Sequence, residues 1–172
     1  MQTRKWCRKT TSTEDSMFEL EIPGFGPALL RHLVSDFTGT LSVDGELLPG
    51  VKEKLDEMAG ILEVHILTAD TFGKARKELE GVRCGIHILT GESHDIQKEE
   101  FIQKLGAGSV IALGNGNNDR RMLKAARVGI AVCLAEGCSR DAIFSADIVV
   151  SSPVDALNLI FNPKRMKATL RF

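Results

Sequence analysis

A chain of 172 residues, 43% hydrophobic and 26% charged, can bury one sizeable core but is too short for two ordinary domains. Its 22 basic and 23 acidic residues nearly cancel, so no general field draws it to nucleic acid or an anionic membrane. No run of about 18 uncharged apolar residues occurs, so no membrane span is expected and the chain is not itself a pump. Cys7, Cys84, Cys133 and Cys138 form no C-x-x-C pair, and the polar first sixteen residues lack the apolar core of a signal peptide. Structural or incidental thiols in a reducing cytoplasm are expected.

Residues 1–16 carry Arg4, Lys5, Arg8, Lys9 and a Thr/Ser run with no apolar period, and read as a disordered tail before a single domain over 17–172. Phe18 to Ile22 alternates apolar and polar residues. The turn-rich Pro23-Gly24-Phe25-Gly26-Pro27 follows, predicting a hairpin whose second arm, Leu29 to Val34, runs into the core. Short apolar runs then alternate with helical periods: Leu33–Phe37, Val51–Met58, Ile61–Leu67, Phe72–Leu79, Cys84–Leu89, Ile96–Leu105, Val110–Leu113, Asp119–Ala126, Val128–Val132 and Ile148–Val150. Strands alternating with helices predict an α/β fold, a doubly wound, Rossmann-like parallel sheet. Ser152-Pro153 caps one more helix, Asn162-Pro163 stops it, and Lys164 to Phe172 forms a last basic helix.

In an open parallel sheet, ligands sit beyond the carboxyl ends of the strands. There the sequence places Asp36-Phe37-Thr38-Gly39-Thr40, then Thr68, then Gly114-Asn115-Gly116-Asn117-Asn118-Asp119, with Lys98 between the last two. A strand-end carboxylate before a Gly-containing turn suits phosphate or metal chemistry, a hydroxyl can hold phosphoryl oxygens, and an ammonium can neutralise developing charge. Alone, Asp36 would be read as a turn cap, Thr68 as a helix cap and Lys98 as a solvated charge. The ordered set points to phosphoryl transfer.

These residues resemble the haloacid-dehalogenase-like superfamily, whose motifs are a strand-end D-x-D-G-T, a strand-end Thr or Ser, a Lys and an acidic G-D-x-x-x-D loop. Within it the sequence is similar to the phosphorylation domain of P-type ATPases, with D-K-T-G-T and G-D-G-x-N-D, and to the small soluble P-type ATPase-like proteins. The likeness continues through Met122-Leu123, Val128 to Val132 and Ala146 to Val150. It implies that Asp36 attacks phosphorus to form an aspartyl phosphate and that Thr68 and Lys98 hold the phosphoryl group, with Lys104 the weaker candidate lysine. It implies Mg2+ as cofactor, held by the Asp36 carboxylate, the Thr38 carbonyl, Asn115 and Asp119. Gly39, Thr40, Thr68, Ala69, Lys98 and Asn118 would contact the substrate phosphate.

The sequence departs from that pattern at two positions. Thr38 stands where hydrolytic members have the acid/base Asp, which implies slow turnover favouring good leaving groups. Asn115 replaces a carboxylate, which should weaken magnesium affinity. Fewer than about thirty residues separate Thr40 from Thr68, and Thr68 from Lys98, so no cap or nucleotide-binding domain is inserted. The segment Leu41 to Gly50 is then the flap; the resemblance implies that capless members act on large substrates or as oligomers, and a homo-oligomer is one expectation here, while the substrate itself is expected to be a small phosphorylated molecule.

Rival readings are weaker. The glycine loop ends in Asp119 rather than completing a dinucleotide motif, and no P-loop Gly-Lys-Ser/Thr occurs. A phosphoaccepting receiver domain would need an acidic pair at an earlier strand end, whereas Glu19 and Glu21 lie in the hairpin. A non-catalytic binding or regulatory module on the same fold is the main alternative, with Thr38 and Asn115 as signs of decay.

Overall fold

A computed structural model of the chain describes residues 18–172; the tail expected over 1–16, with Cys7, lies outside the described residues. Strands β1 (Phe18–Ile22) and β2 (Gly26–Leu30) form the hairpin, with Phe18 opposite Leu30 and Ile22 opposite Gly26. Leu20, Ile22, Ala28 and Leu30 are buried while Glu19 and Glu21 face solvent, as the period-2 pattern requires. Arg127 pins the turn, donating to the carbonyls of Phe25 (2.7 Å) and Pro27 (3.1 Å) and lying over the Phe25 ring.

The second arm does not continue to Val34. It ends at Leu30, and a separate strand β3 (His32–Ser35) starts the main sheet. Arg31 makes the break because its N–H already donates to Ser109 and its carbonyl accepts from Glu63, which commits the chain to the parallel sheet.

Next come the two-residue strands β4 (Ser42–Val43) and β5 (Glu46–Leu47), helix α1 (Val51–Met58), β6 (Glu63–Thr68), α2 (Ala75–Glu78), β7 (Gly85–Ile88) and α3 (His94–Leu105). The chain continues through β8 (Val110–Gly114), α4 (Arg120–Ala125), β9 (Val128–Val132), α5 (Arg140–Ser145), β10 (Ile148–Val150), α6 (Pro153–Phe161) and α7 (Pro163–Leu170). Two elements differ from expectation. The helix expected over Phe72–Leu79 shrinks to one turn, since Asp70 (φ 49°) and Gly73 (φ 65°) shape a turn before it and the Asp70 carboxylate accepts from the N–H groups of Lys74 and Ala75. Helix α5 has no counterpart in the sequence reading, because it buries only Ala142 and so shows no apolar period; Ser139 caps it by accepting from the Ala142 N–H.

The main sheet has the order β10-β9-β8-β3-β6-β7, all parallel. Alternate side chains feed two apolar layers. Leu33, Ile66, Ile111, Leu113 and Ile130 pack with α1, α6 and α7, while Val34, Leu67, Val110 and Ala112 pack with Ile102 of α3, Met122 and Leu123 of α4 and Ala142 of α5. Each fully buried Val, Leu, Ile or Met among them contributes about 1.5–3 kcal/mol. From β3 the chain winds outward to β7 and then returns to β3's other side as β8, so the winding reverses between β3 and β8. A crevice at the carboxyl ends of those two strands follows from this topology. Among the described residues no helix is long and apolar enough to cross a membrane.

Candidate active site

The crevice is where Asp36, at the end of β3, meets the loop after β8. The Asp36 N–H donates to the Leu113 carbonyl (2.9 Å), extending the β3–β8 pairing by one residue and fixing the carboxylate at the sheet edge. The chain then turns back tightly: the N–H groups of Thr40, Leu41 and Ser42 and the Ser42 hydroxyl all donate to the Phe37 carbonyl, with Phe37 itself buried as the anchor. Gly39 has φ 78° and packs so closely on Asn115 that a Cβ there would collide with its amide. Only glycine fits both requirements.

Lys98 reaches this edge from the fifth position of α3. It is fully buried, with Nζ donating to Asp36 Oδ1 at 2.7 Å and to Asp119 Oδ1 at 2.6 Å. Asp119 Oδ2 accepts from the N–H groups of Asn115 (2.9 Å) and Gly116 (2.8 Å), so the Gly114–Asp119 loop closes on its own last residue. Both Asp119 oxygens are therefore engaged. The Thr40 hydroxyl lies 3.2 Å from Asp36 Oδ2 and 3.0 Å from Asn115 Oδ1, bringing those two oxygens to one point. Asn115 is oriented from behind, since its side-chain amide nitrogen donates to the Gly137 carbonyl (3.1 Å) and its main-chain carbonyl accepts from the Ser139 N–H (2.8 Å).

Burial raises the Asp36 carboxyl to about 6, opposed by the Lys98 ammonium and reinforced by the Asp119 charge. Lys98 loses hydration on burial, yet its two carboxylate partners outweigh that and move it above the ordinary lysine range. Lys98 is thus a fixed cation, and Asp36 is a carboxylate at neutral pH that is more basic, and so more nucleophilic, than an exposed one. Lys104 is exposed in the last turn of α3 and away from the pair, which favours Lys98 as the lysine of the set.

Thr68 ends β6, buried, its hydroxyl accepting from the Asp70 N–H at 2.9 Å; Ala69 beside it is exposed. Thr38 is half-buried at the rim. Asn118 lines a cleft of about 490 Å³ next to the acidic loop, together with Ser93, His94, Asp95, Asn117 and Arg120. Arg120 is held there by Asp95 at 2.8 Å. The expected flap is the β4–β5 hairpin, turned at Asp44 and Gly45, and it is tethered on both sides: Glu136 accepts from the Asp44 N–H, Glu78 accepts from the Leu47 N–H, and Lys74 pairs with Glu46. The segment after β9 escaped the sequence reading. Its signal was the turn composition of Glu136-Gly137-Cys138-Ser139, which supplies the carbonyl and N–H that orient Asn115. Glu19 and Glu21, which a receiver domain would need at a strand end, sit on the outer hairpin. The Cys138 thiol in this segment is pushed up to about 12 by burial, with Cys133 and the Asp119 charge adding to it, so it stays protonated.

Hard oxygens converge on this edge, where Asp36 Oδ2 and Asn115 Oδ1 share the Thr40 hydroxyl. Such a donor set fits a magnesium ion better than a softer metal.

Comparison with solved structures finds the same architecture. The cobalt-bound deoxy-D-mannose-octulosonate 8-phosphate phosphatase of Haemophilus influenzae superposes with a TM-score of 0.61 at 13% identity, covering 83% of this chain and 94% of that one. The 3-deoxy-D-manno-octulosonate 8-phosphate phosphatase of Moraxella catarrhalis, crystallised with magnesium, phosphate and its KDO molecule, gives 0.56 at 19% identity over 83% and 94%. The chain has the fold of the haloacid-dehalogenase-like superfamily. No protein-family model matches it. In sequence it forms one family with the uncharacterized protein MJ0073 of Methanocaldococcus jannaschii, 52% identical over 73 residues, or 42% of this chain and 78% of that protein. It is also 24% identical over 136 residues to the potassium-transporting ATPase ATP-binding subunit of Thermoplasma volcanium, of which it spans only 20%.

Proposed function

We propose that this protein is a magnesium-dependent phosphohydrolase or phosphoryl-transfer enzyme that works through a covalent phosphoryl group on Asp36. The observation that carries the reading is the buried Lys98 ammonium clamped between Asp36 (2.7 Å) and Asp119 (2.6 Å) at the switch point of the sheet. A buried lysine between two carboxylates is costly to build, and replacing such a set with apolar residues is often neutral or stabilising, so a site of this kind is better explained by chemistry than by stability.

In the proposed reaction an Asp36 carboxylate oxygen attacks phosphorus, the bond from phosphorus to the leaving oxygen breaks, and the leaving group departs with the electron pair. Lys98 restrains Asp36 and offsets negative charge as it moves onto the phosphoryl oxygens. The Thr68 hydroxyl and Ala69 would contact those oxygens, whereas the Gly39 and Thr40 N–H groups already donate to the Ser42 and Phe37 carbonyls and would do so only by releasing them. Asn118 faces the adjoining cleft, which suits a small phosphorylated substrate. Asp36, the Thr38 carbonyl and Asn115 would hold magnesium, whose chemistry there is neutralisation of phosphoryl charge. Asp119 holds Lys98 through Oδ1 and shapes the loop through Oδ2, and with one partner on Oδ1 it would complete the magnesium shell.

Thr38 has no group that titrates near neutrality, so the leaving oxygen takes its proton from solvent. Water attacking the aspartyl phosphate likewise meets no general base, which predicts a slow enzyme favouring good leaving groups. The likeness to an ATPase subunit supports a long-lived aspartyl phosphate as the purpose of this arrangement. The reading places the enzyme in the cytoplasm, its open site completed by the tethered flap or by a second copy of the chain.

The test is intact-protein mass spectrometry after incubation with magnesium and acetyl phosphate, beside Asp36→Asn, with phosphate release followed in parallel. One phosphoryl adduct on the wild type alone, released slowly, is the expected result. Neither adduct nor released phosphate, in protein that does not bind magnesium, would favour a binding or regulatory module.

A further inference from the structure

At the opposite edge of the sheet from Asp36, three side chains gather for which the proposed reaction has no use. His32 opens β3, Glu63 opens β6 directly beside it in register, and His65 follows two residues along β6 on the same face. His32 Nδ1 lies 3.3 Å from Glu63 Oε2, and His65 Nε2 lies 3.8 Å from that same oxygen. One donor atom from each residue falls within 4.8 Å of the other two.

Both imidazoles pack against neighbouring rings, but their polar atoms are left unsatisfied. His32 Nδ1 and both ring nitrogens of His65 are buried without a hydrogen-bond partner, although the Glu63 carboxylate is close by. Leaving such atoms unpaired is unfavourable, and water or an ion normally satisfies them. Phe101 of α3 packs edge-on against His65 and walls off one side, while Glu63 and His65 line a cleft of about 330 Å³ that reaches solvent on another.

We infer that His32, Glu63 and His65 form a second metal site, selective for a first-row transition ion of the zinc class and separate from the magnesium site. Tetrahedral coordination with bonds of about 2.0–2.1 Å sets neighbouring donor atoms about 3.3–3.4 Å apart. The His32–Glu63 separation already has that value, and the His65–Glu63 separation exceeds it by less than a side-chain rotation. Two imidazoles with one carboxylate are donors for zinc, cobalt or iron rather than magnesium or calcium. The fourth position faces the cleft, open to water or an exogenous ligand. A metal there ties the amino ends of β3 and β6 together.

The experiment uses the full chain in an Asp36→Asn background, stripped with chelator and titrated with Co2+ under excess Mg2+. The expected result is one bound Co2+ with the visible absorption of a four- or five-coordinate ion, raising the melting temperature. His32→Gln and Glu63→Gln should each weaken Co2+ binding at least about tenfold. Glu63 is exposed, so Glu63→Gln keeps its fold even where a histidine variant does not, with circular dichroism as the control. The inference is overturned if no Co2+ binds under excess Mg2+, or if Glu63→Gln and a folded His32→Gln bind it as their parent does. An intense near-ultraviolet cobalt–thiolate band that persists in both variants would also overturn it, by assigning the ion to the cysteines.

Discussion

Lys98→Met is the most informative single substitution, because it removes a fully buried charge and keeps most of its volume. In metal-free buffer the variant leaves Asp36 and Asp119 without their shared cation. Breaking a buried ion pair by deleting one partner typically costs about 3–5 kcal/mol. The two carboxylates respond differently. Asp119 keeps its bonds from the Asn115 and Gly116 N–H groups, whereas Asp36 keeps only the Thr40 hydroxyl at 3.2 Å and takes up a proton more readily. In the wild type Asp36 already stands at about 6 when folded, against 3.8 for a free carboxyl. A raised carboxyl contributes stability that is complete below the unfolded value and is lost as pH rises through the folded value. For the wild type that loss is spent between pH 3.8 and about 6, and stability is flat with respect to Asp36 above that window. Removing Lys98 moves the folded value higher, so the variant goes on losing up to about 1.4 kcal/mol per pH unit above pH 6. The expected deficit is about 4 kcal/mol at pH 8 and about half that at pH 6. At pH 8 this corresponds to a melting temperature lower by roughly 8–16 °C. Urea unfolding at both pH values, with chelator present, measures it. A variant as stable as the wild type at pH 8, or a deficit that does not change between pH 6 and 8, would refute the reasoning.

Three further outcomes are expected. Thr38→Asp restores an acid/base group at the leaving-group position and should raise steady-state phosphatase turnover about 10²–10⁴-fold, measured with an alkyl phosphate; no rise in a folded, magnesium-binding variant would place Thr38 elsewhere. Gly39→Ala should cost about 1 kcal/mol for its positive φ and, by displacing Asn115, weaken magnesium binding more than it weakens the fold, as titration calorimetry beside thermal melting would show. Ser152→Ala removes the hydroxyl that accepts from the Asp155 N–H at the start of α6 and should cost about 1 kcal/mol with no change in phosphoryl transfer; a loss of activity at unchanged stability would contradict this assignment.

The alternation of Phe18 to Ile22, the turn chemistry after it and the apolar runs from Leu33 to Val150 determined a hairpin followed by a parallel α/β sheet. Periodicity reports which face of an element is buried, and these elements bury one face or two. The same order of runs put Asp36, Thr68 and the Gly114–Asp119 loop at strand ends, because a strand's end is visible wherever its apolar run stops. Elements with little apolar surface were not legible: α5 buries only Ala142, and α2 is one turn set by the Asp70 carboxylate. Lys98 was ambiguous in sequence, since its burial depends on α3 lying over the β3–β8 edge and on two carboxylates arriving from different strands. That both Asp119 oxygens are engaged, and that Gly137 and Ser139 aim Asn115, are facts of hydrogen-bond geometry with no one-dimensional trace. The cluster of His32, Glu63 and His65 belongs to the same class. One-residue register between β3 and β6 makes neighbours of residues some thirty positions apart in the chain, and strand register is fixed only when the sheet assembles.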